Sequence, residues 1–296
     1  MGEWWEPFTL KAVQRAVLAI FLVGIPCAVM GCFVVLRRMA FIGDALAHTV
    51  LPGIVIAFLK GANLFFGALV AGIITSLGIG WLSRRKEVRE DTAIGILFTA
   101  MFALGILLMG QTGSFRDFEG ILFGNILYLD RLTLQAMAVL GGLSMGILFL
   151  VYKEMELVSY DDAYARVIGI CTEKLRYLLL LLLAFTVVGA IQAVGVILTS
   201  ALLITPAATA GLLTKRLPMM MFLASIFAVL GGLGGLTFSV LTNFPSGAAI
   251  VLFCTLFFGL AYLWRGWGRR FTNQRSADPD RAPGDPDKRA PRNGSC

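Results

Sequence analysis

Apolar residues fill long blocks along this chain, and short polar segments divide them. A helix that crosses a bilayer takes about 20 apolar residues, and about nine blocks meet that length. They run over 10–36, 41–59, 62–82, 92–110, 132–152, 174–191, 194–213, 217–240 and 247–264. The pattern therefore predicts an all-α polytopic membrane protein.

The connections alternate in character. Arg37-Arg38, residues 83–89, the 153–173 segment, Lys215-Arg216 and everything after Trp264 are basic or charged. Lys60 to Asn63, 111–130, Gln192 and Asn243 to Pro245 carry few cations. With nine crossings every basic connection falls on one side, which the positive-inside rule makes the cytoplasm. The N-terminus is then expected outside and the C-terminus inside, and eight or ten crossings would break the alternation. No cleavable leader is evident, because the first apolar block is too long for one.

Composition agrees. The chain is 58% hydrophobic and 15% charged, whereas soluble domains average about 45–50% and about 25%. The net charge of +7 sits between apolar blocks and in the tail rather than along a folded surface, which excludes nucleic acid as a partner and favours lipid headgroups. Residues 1–264 read as a transmembrane domain. Residues 265–296 read as a disordered basic tail, rich in Arg, Pro, Asp and Gly. The cysteines show no C-x-x-C pairing and read as small packing residues.

The candidate chemistry is concentrated. The single histidine, His48, follows Asp44 by four residues inside an apolar block. On a helix this spacing puts both side chains on one face. Ionisable groups at membrane depth are costly and generally functional, and a carboxylate beside an imidazole suits a divalent transition metal. The alternatives are a hydrogen bond between helices, or Asp44 as a helix cap. Two protein ligands are too few for a closed zinc site, but incomplete coordination suits a conduit, from which ions must leave. A second copy of the chain would add another pair. Pro52 and Pro206 interrupt apolar blocks, where a proline frees a carbonyl and shapes a pathway. Thr99, Thr186, Gln192, Thr199, Ser200, Thr205 and Thr209 are weaker candidates, since helical hydroxyls often bond back to their own backbone. Glycines such as Gly67, Gly72, Gly141 and Gly235 read as close-packing positions.

A second feature is the short segment Asp161 to Ile170. It has a helical pattern, lies on the basic side, and spaces Ala165 and Gly169 four apart. A small-residue face of this kind suits docking into a groove of another protein, although on spacing alone an amphipathic connector is the better reading. The chain contains no Walker A pattern, nucleophile elbow, H-E-x-x-H or dinucleotide fingerprint, so any ATP hydrolysis belongs to another subunit. An ion-coupled secondary carrier with Asp44 and His48 as proton relay is the alternative, although no internal repeat supports it. A membrane enzyme lacks a third polar group at matching depth.

Four stretches together resemble the permease subunit of bacterial ABC importers for manganese, zinc or iron(II). Residues 39–53, with Gly43-Asp44-Ala45, His48, Pro52 and Gly53, resemble the family's G-D-A-x-x-H-x-x-x-P-G segment. Phe123-Gly124-Asn125 is similar to its F-G-N segment, and 161–170 to its coupling helix. Residues 194–210 are similar to its G-V-x-L-x-x-A-L-L-x-x-P-A-A-T-A run. The resemblance spans roughly residues 10–264, with the motifs in the family's order. It implies a type II ABC importer-like fold in a bacterial plasma membrane, and no permanently bound cofactor. The implied partners are a cytoplasmic ATP-binding subunit, an external metal-binding protein and a second permease, either identical or paralogous. Asp44 and His48 are implied to contact the transported manganese, zinc or iron, and Asp161, Asp162, Ala165 and Gly169 to couple to the ATPase. An Asp/His pair accepts all of these metals, so the choice among them is expected to lie with the delivering protein.

Overall fold

A computed structural model of the chain describes residues 11–84, 88–110, 131–242 and 244–276. Within them every regular element is a helix. In chain order they are α1 (Lys11–Leu36), α2 (Ile42–Thr49), α3 (Leu51–Leu59), α4 (Leu64–Leu82), α5 (Glu90–Met109), α6 (Arg131–Leu150), α7 (Tyr152–Tyr160), α8 (Asp162–Val167), α9 (Thr172–Leu213), α10 (Leu217–Thr242) and α11 (Ser246–Ser276). Outward positions such as Phe149, Leu150, Leu252 and Leu263 are large and apolar. This is the surface of a bundle that meets lipid, where only closed helices satisfy their own backbone.

Eight helices among the described residues are long and apolar enough to cross a membrane, counting α2 with α3 as one. One of the eight, α9, extends over 42 residues. A straight helix of that length would reach about 63 Å. Instead both of its ends return to the same end of the bundle. Thr172 shares a cavity with Arg37, and Thr214 shares another with Leu36. The reversal is at Gly195, whose φ of 78° and ψ of 173° interrupt the helix. That backbone is open to glycine and strained for other residues. Residues 172–194 and 196–213 are thus two passes, as the separate blocks 174–191 and 194–213 predict, which divides the eight long helices among the described residues into nine crossings. The break lies at Gly195 and not at Pro206, which is buried inside the second pass.

The core is formed by α9 packed against α1, α4 and α11. Cys27, Cys32 and Cys254 are free and buried, as packing residues. Between α3 and α4 the backbones approach so closely that a Cβ at Gly53 would overlap the Gly67 carbonyl, and a Cβ at Gly67 would overlap the Gly53 carbonyl. In lipid, such close approach replaces the hydrophobic drive that holds soluble helices together.

At the C-terminus α11 continues through the expected boundary at 264 as far as Ser276. The first proline beyond the membrane block is Pro279, and only there does the chain meet a residue that disfavours helix just before it. Residues 277–296 and the F-G-N segment at 123–125 lie outside the described residues.

Gly53→Val should force α3 and α4 apart at a cost of about 1–3 kcal/mol. A lower melting temperature of the detergent-solubilised protein is expected, whereas Gly142→Ala, at a position where a Cβ meets nothing within 4 Å, should leave it unchanged.

Candidate functional site

Asp44 lies in the first turn of α2 and His48 in its last. The helix brings His48 Nε2 to 3.8 Å from Asp44 Oδ1. That is too long for a hydrogen bond, so neither group consumes the other's lone pairs. Asp44 is not the cap expected as one alternative. Phe41 occupies the N-cap position and no side chain caps it. The carboxylate instead faces the positive end of the helix dipole from within the first turn. The side chains are 26% exposed for His48 and 38% for Asp44, so the pair opens onto the surface of this single chain. The rest of α2 is buried: Ile42, Ala45 and Thr49 are shielded completely.

Helix α5 holds the imidazole in place. Phe98 and Phe102 meet the His48 ring edge to face, with centroids 5.9 and 5.4 Å away, and stack on each other at 5.8 Å. Phe41 closes against Phe98 at 5.4 Å. His48 Nδ1 is buried and has no hydrogen-bond partner among the described residues. Pro52 sits in the first turn of α3 and cannot donate to the His48 carbonyl, which accepts from the Val50 N–H. Among the described residues no group of three or more His, Cys, Asp or Glu side chains could hold a metal, so these residues offer a pair and not a cage. The aromatic wall was legible only in part: Phe98 and Phe102 are four apart on an apolar block, a spacing that core packing also produces.

The second candidate folds as a short capped helix. Asp161 accepts from the Tyr164 N–H at 2.9 Å, capping α8, and Asp162 pairs with Arg166 one turn on. At the other end the Gly169 N–H bonds to Arg166 O and the Ile170 N–H to Ala165 O, both at 3.0 Å. This is a Schellman motif, with Gly169 at φ 91° in its left-handed position. Ala165 is completely buried and seats α8 on its own chain, while Tyr164, Val167 and Ile168 point outward, Val167 being 84% exposed.

Beneath α8 lies a charged cavity of about 260 Å³, lined by Arg37, Glu90, Asp162, Arg166, Glu173 and Arg176 among others. Arg176 donates to the Gly80 and Ser83 carbonyls at 3.2 and 3.3 Å and lies 3.6 Å from Glu90. Glu173 pairs with Arg84 at 2.8 Å. Tyr160 OH donates to the Lys215 carbonyl at 2.6 Å. The basic connections that are described thus collect at one end of the bundle. Sequence reading missed Glu90 and Arg176, whose signal was a charge in the first turn of an apolar block. At the opposite end a cavity of about 440 Å³ takes in Asn63, Thr133 and Gln192. Thr99, Thr199, Ser200 and Thr209 bond back to carbonyls of their own helices. Thr186 bonds the Leu182 carbonyl and reaches Ser144 on α6 at 3.1 Å.

The described helices thus form a membrane-spanning bundle with a capped short helix at its charged end and an acid–imidazole pair on α2. The ABC 3 transport family matches residues 9–265, and the chain belongs to that family. It is 47% identical to "Manganese transport system membrane protein MntC" of Halalkalibacterium halodurans over 253 residues, which is 85% of this chain and 87% of that protein. It is 37% identical to "Chelated iron transport system membrane protein YfeD" of Yersinia pestis over 259 residues, 88% of this chain and 87% of that one. The solved structure "PsaBC from Streptococcus pneumoniae in complex with Fab" superposes with a TM-score of 0.78 at 35% identity, covering 88% of this chain and 94% of that one.

Gly169 has open space around it, so its constraint is backbone conformation alone. Gly169→Val should fray α8 at a cost of about 1–2 kcal/mol, and Gly169→Asn should do so less. Amide hydrogen exchange over 162–170 is expected to accelerate in that order.

Proposed function

We propose that this chain is the membrane permease of an importer for a divalent transition metal, manganese or iron(II) foremost, with Asp44 and His48 contacting the ion in transit. The single observation that carries this reading is the pair itself: an imidazole nitrogen and a carboxylate oxygen 3.8 Å apart and not hydrogen bonded to each other. A dehydrating cation needs replacement ligands along its path, and a borderline imidazole selects against calcium and magnesium, which favour all-oxygen shells. The names of the relatives, a manganese and a chelated-iron transport protein, support the same cargo class. Zinc remains compatible with the donor set.

Two ligands from one chain call for a second permease to complete the shell. We assign the basic end to the cytoplasm by the positive-inside rule, which places the N-terminus outside. A separate ATP-binding subunit docks there on the outward face of α8, where Tyr164, Val167 and Ile168 expose apolar surface at an end that the charged cavity marks as facing water. An external metal-binding protein delivers the ion to the opposite end.

Radiotracer uptake of manganese, iron(II) and zinc in cells carrying this chain with its ATPase tests the reading. Losing an outer-shell partner alone costs about 10–100-fold in metal affinity, so His48→Ala should lower uptake at least about tenfold with membrane insertion intact. Normal uptake by that variant would remove the ligand role. Uptake that persists without the ATPase would identify a secondary carrier, with His48 as proton relay.

A further inference from the structure

The charged cavity beneath α8 sits where the helices that hold the Asp44–His48 pair begin. Arg37 is the first residue after α1, and the turn it opens leads directly into α2. That turn is tightly built. Arg38 takes a left-handed φ of 59°, the Met39 N–H bonds back to Val34 at 3.0 Å, and the Ile42 N–H bonds to Met39 at 3.0 Å. Met39 itself is buried. A displacement of Arg37 is therefore passed to Ile42, and from there along α2 to Asp44 and His48. Glu90 is the first residue of α5, the helix that carries Phe98 and Phe102 against the His48 ring. Arg176, in the early turns of α9, ties Glu90 to the last carbonyls of α4. Asp162 and Arg166 of α8 complete the same cavity.

We propose that Arg37, with Glu90 and Arg176, is a positioning residue that links movement of α8 to the two helices enclosing His48. This rests on the reading of α8 as the docking helix for the ATPase. The geometry favours a movable link over a static cap. Close-packed interiors resist rearrangement, whereas these charges line an open cavity. Arg37 Nε has no hydrogen-bond partner among the described residues, although the residue is partly buried. Burial holds its guanidinium below the usual range, Glu90 acts to raise it and Arg176 to lower it. Arg37, Glu90 and Arg176 face one another across this cavity, and both branches of the link end on the same ring.

The test uses the full permease with its ATPase and delivery protein in vesicles, with metal uptake and ATP hydrolysis measured on one sample. Allosteric couplings are typically worth 5–150-fold, so Arg37→Met should lower metal moved per ATP at least about fivefold while stimulated hydrolysis persists. Arg37→Lys should recover most of that ratio, because it keeps the charge. A loss of fold would not be rescued in this pattern. If Arg37→Met does not reach the membrane, Glu90→Gln decides by the same ratio. An unchanged ratio in these variants overturns the link while leaving the docking reading intact. Val167→Asp, on the outward face of α8, separates the two. It should abolish the stimulated hydrolysis, and full stimulation in that variant would overturn the docking reading and the link with it.

Discussion

Lipid offers a peptide group no hydrogen-bond partner, and the rest of this structure follows from that constraint. Every described crossing is a closed helix, and most hydroxyls at depth bond to their own backbone. The chain reverses inside one long helical run only where glycine accepts the geometry, at Gly195. Charges are driven to the ends of the bundle because an unpaired charge at depth costs too much, and the basic connections that are described gather at one of them. That end becomes the place where ion pairs, a capped short helix and a polar cavity coexist. Under the proposed function, the division between a dry bundle and a charged end lets one part of the protein carry cargo and another receive work.

Against that background the Asp44–His48 pair is an exception that asks for a cause. It is neither a hydrogen bond nor a helix cap, and among the described residues two phenylalanines, rather than further ligands, meet the imidazole. The aromatic edges hold the ring without competing for the pair. Under the proposed role, so incomplete a site would bind weakly by itself, and weak binding serves a pathway, since an ion held in a complete shell would not leave.

The same aromatic wall makes the pair sensitive to events elsewhere. Its two helices, α2 and α5, both start at the charged end, so the imidazole is gripped by elements whose roots lie beside α8. Rigid helices carry displacement over such a span without any change along their length. The close Gly53–Gly67 contact then keeps α3 and α4 moving as one body.

Much of this was legible in the linear chain. The apolar blocks, their count, the alternation of basic connections and the i, i+4 spacing of Asp44 and His48 are local properties, and lipid makes local hydropathy decisive. The A-x-x-x-G spacing at 165–169 was legible too, but its meaning was not. Packing turned Ala165 inward and left Gly169 as a cap, because which face of a short helix is buried depends on what lies beneath it. The run from Lys174 to Leu213 announced two crossings without saying that Gly195, and not Pro206, would be the turning point. The gathering of Arg37, Glu90, Asp162 and Arg176 around one cavity was invisible in the same way. These residues belong to different crossings, and only the antiparallel return of the helices brings their ends together. The sequence alone determined the solvent, the apolar blocks and the closeness of Asp44 to His48, since each depends on residues close in the chain. Tertiary structure alone decided which side chains support the pair and which face is free to dock, since those depend on neighbours that the chain reaches only by crossing the membrane and coming back.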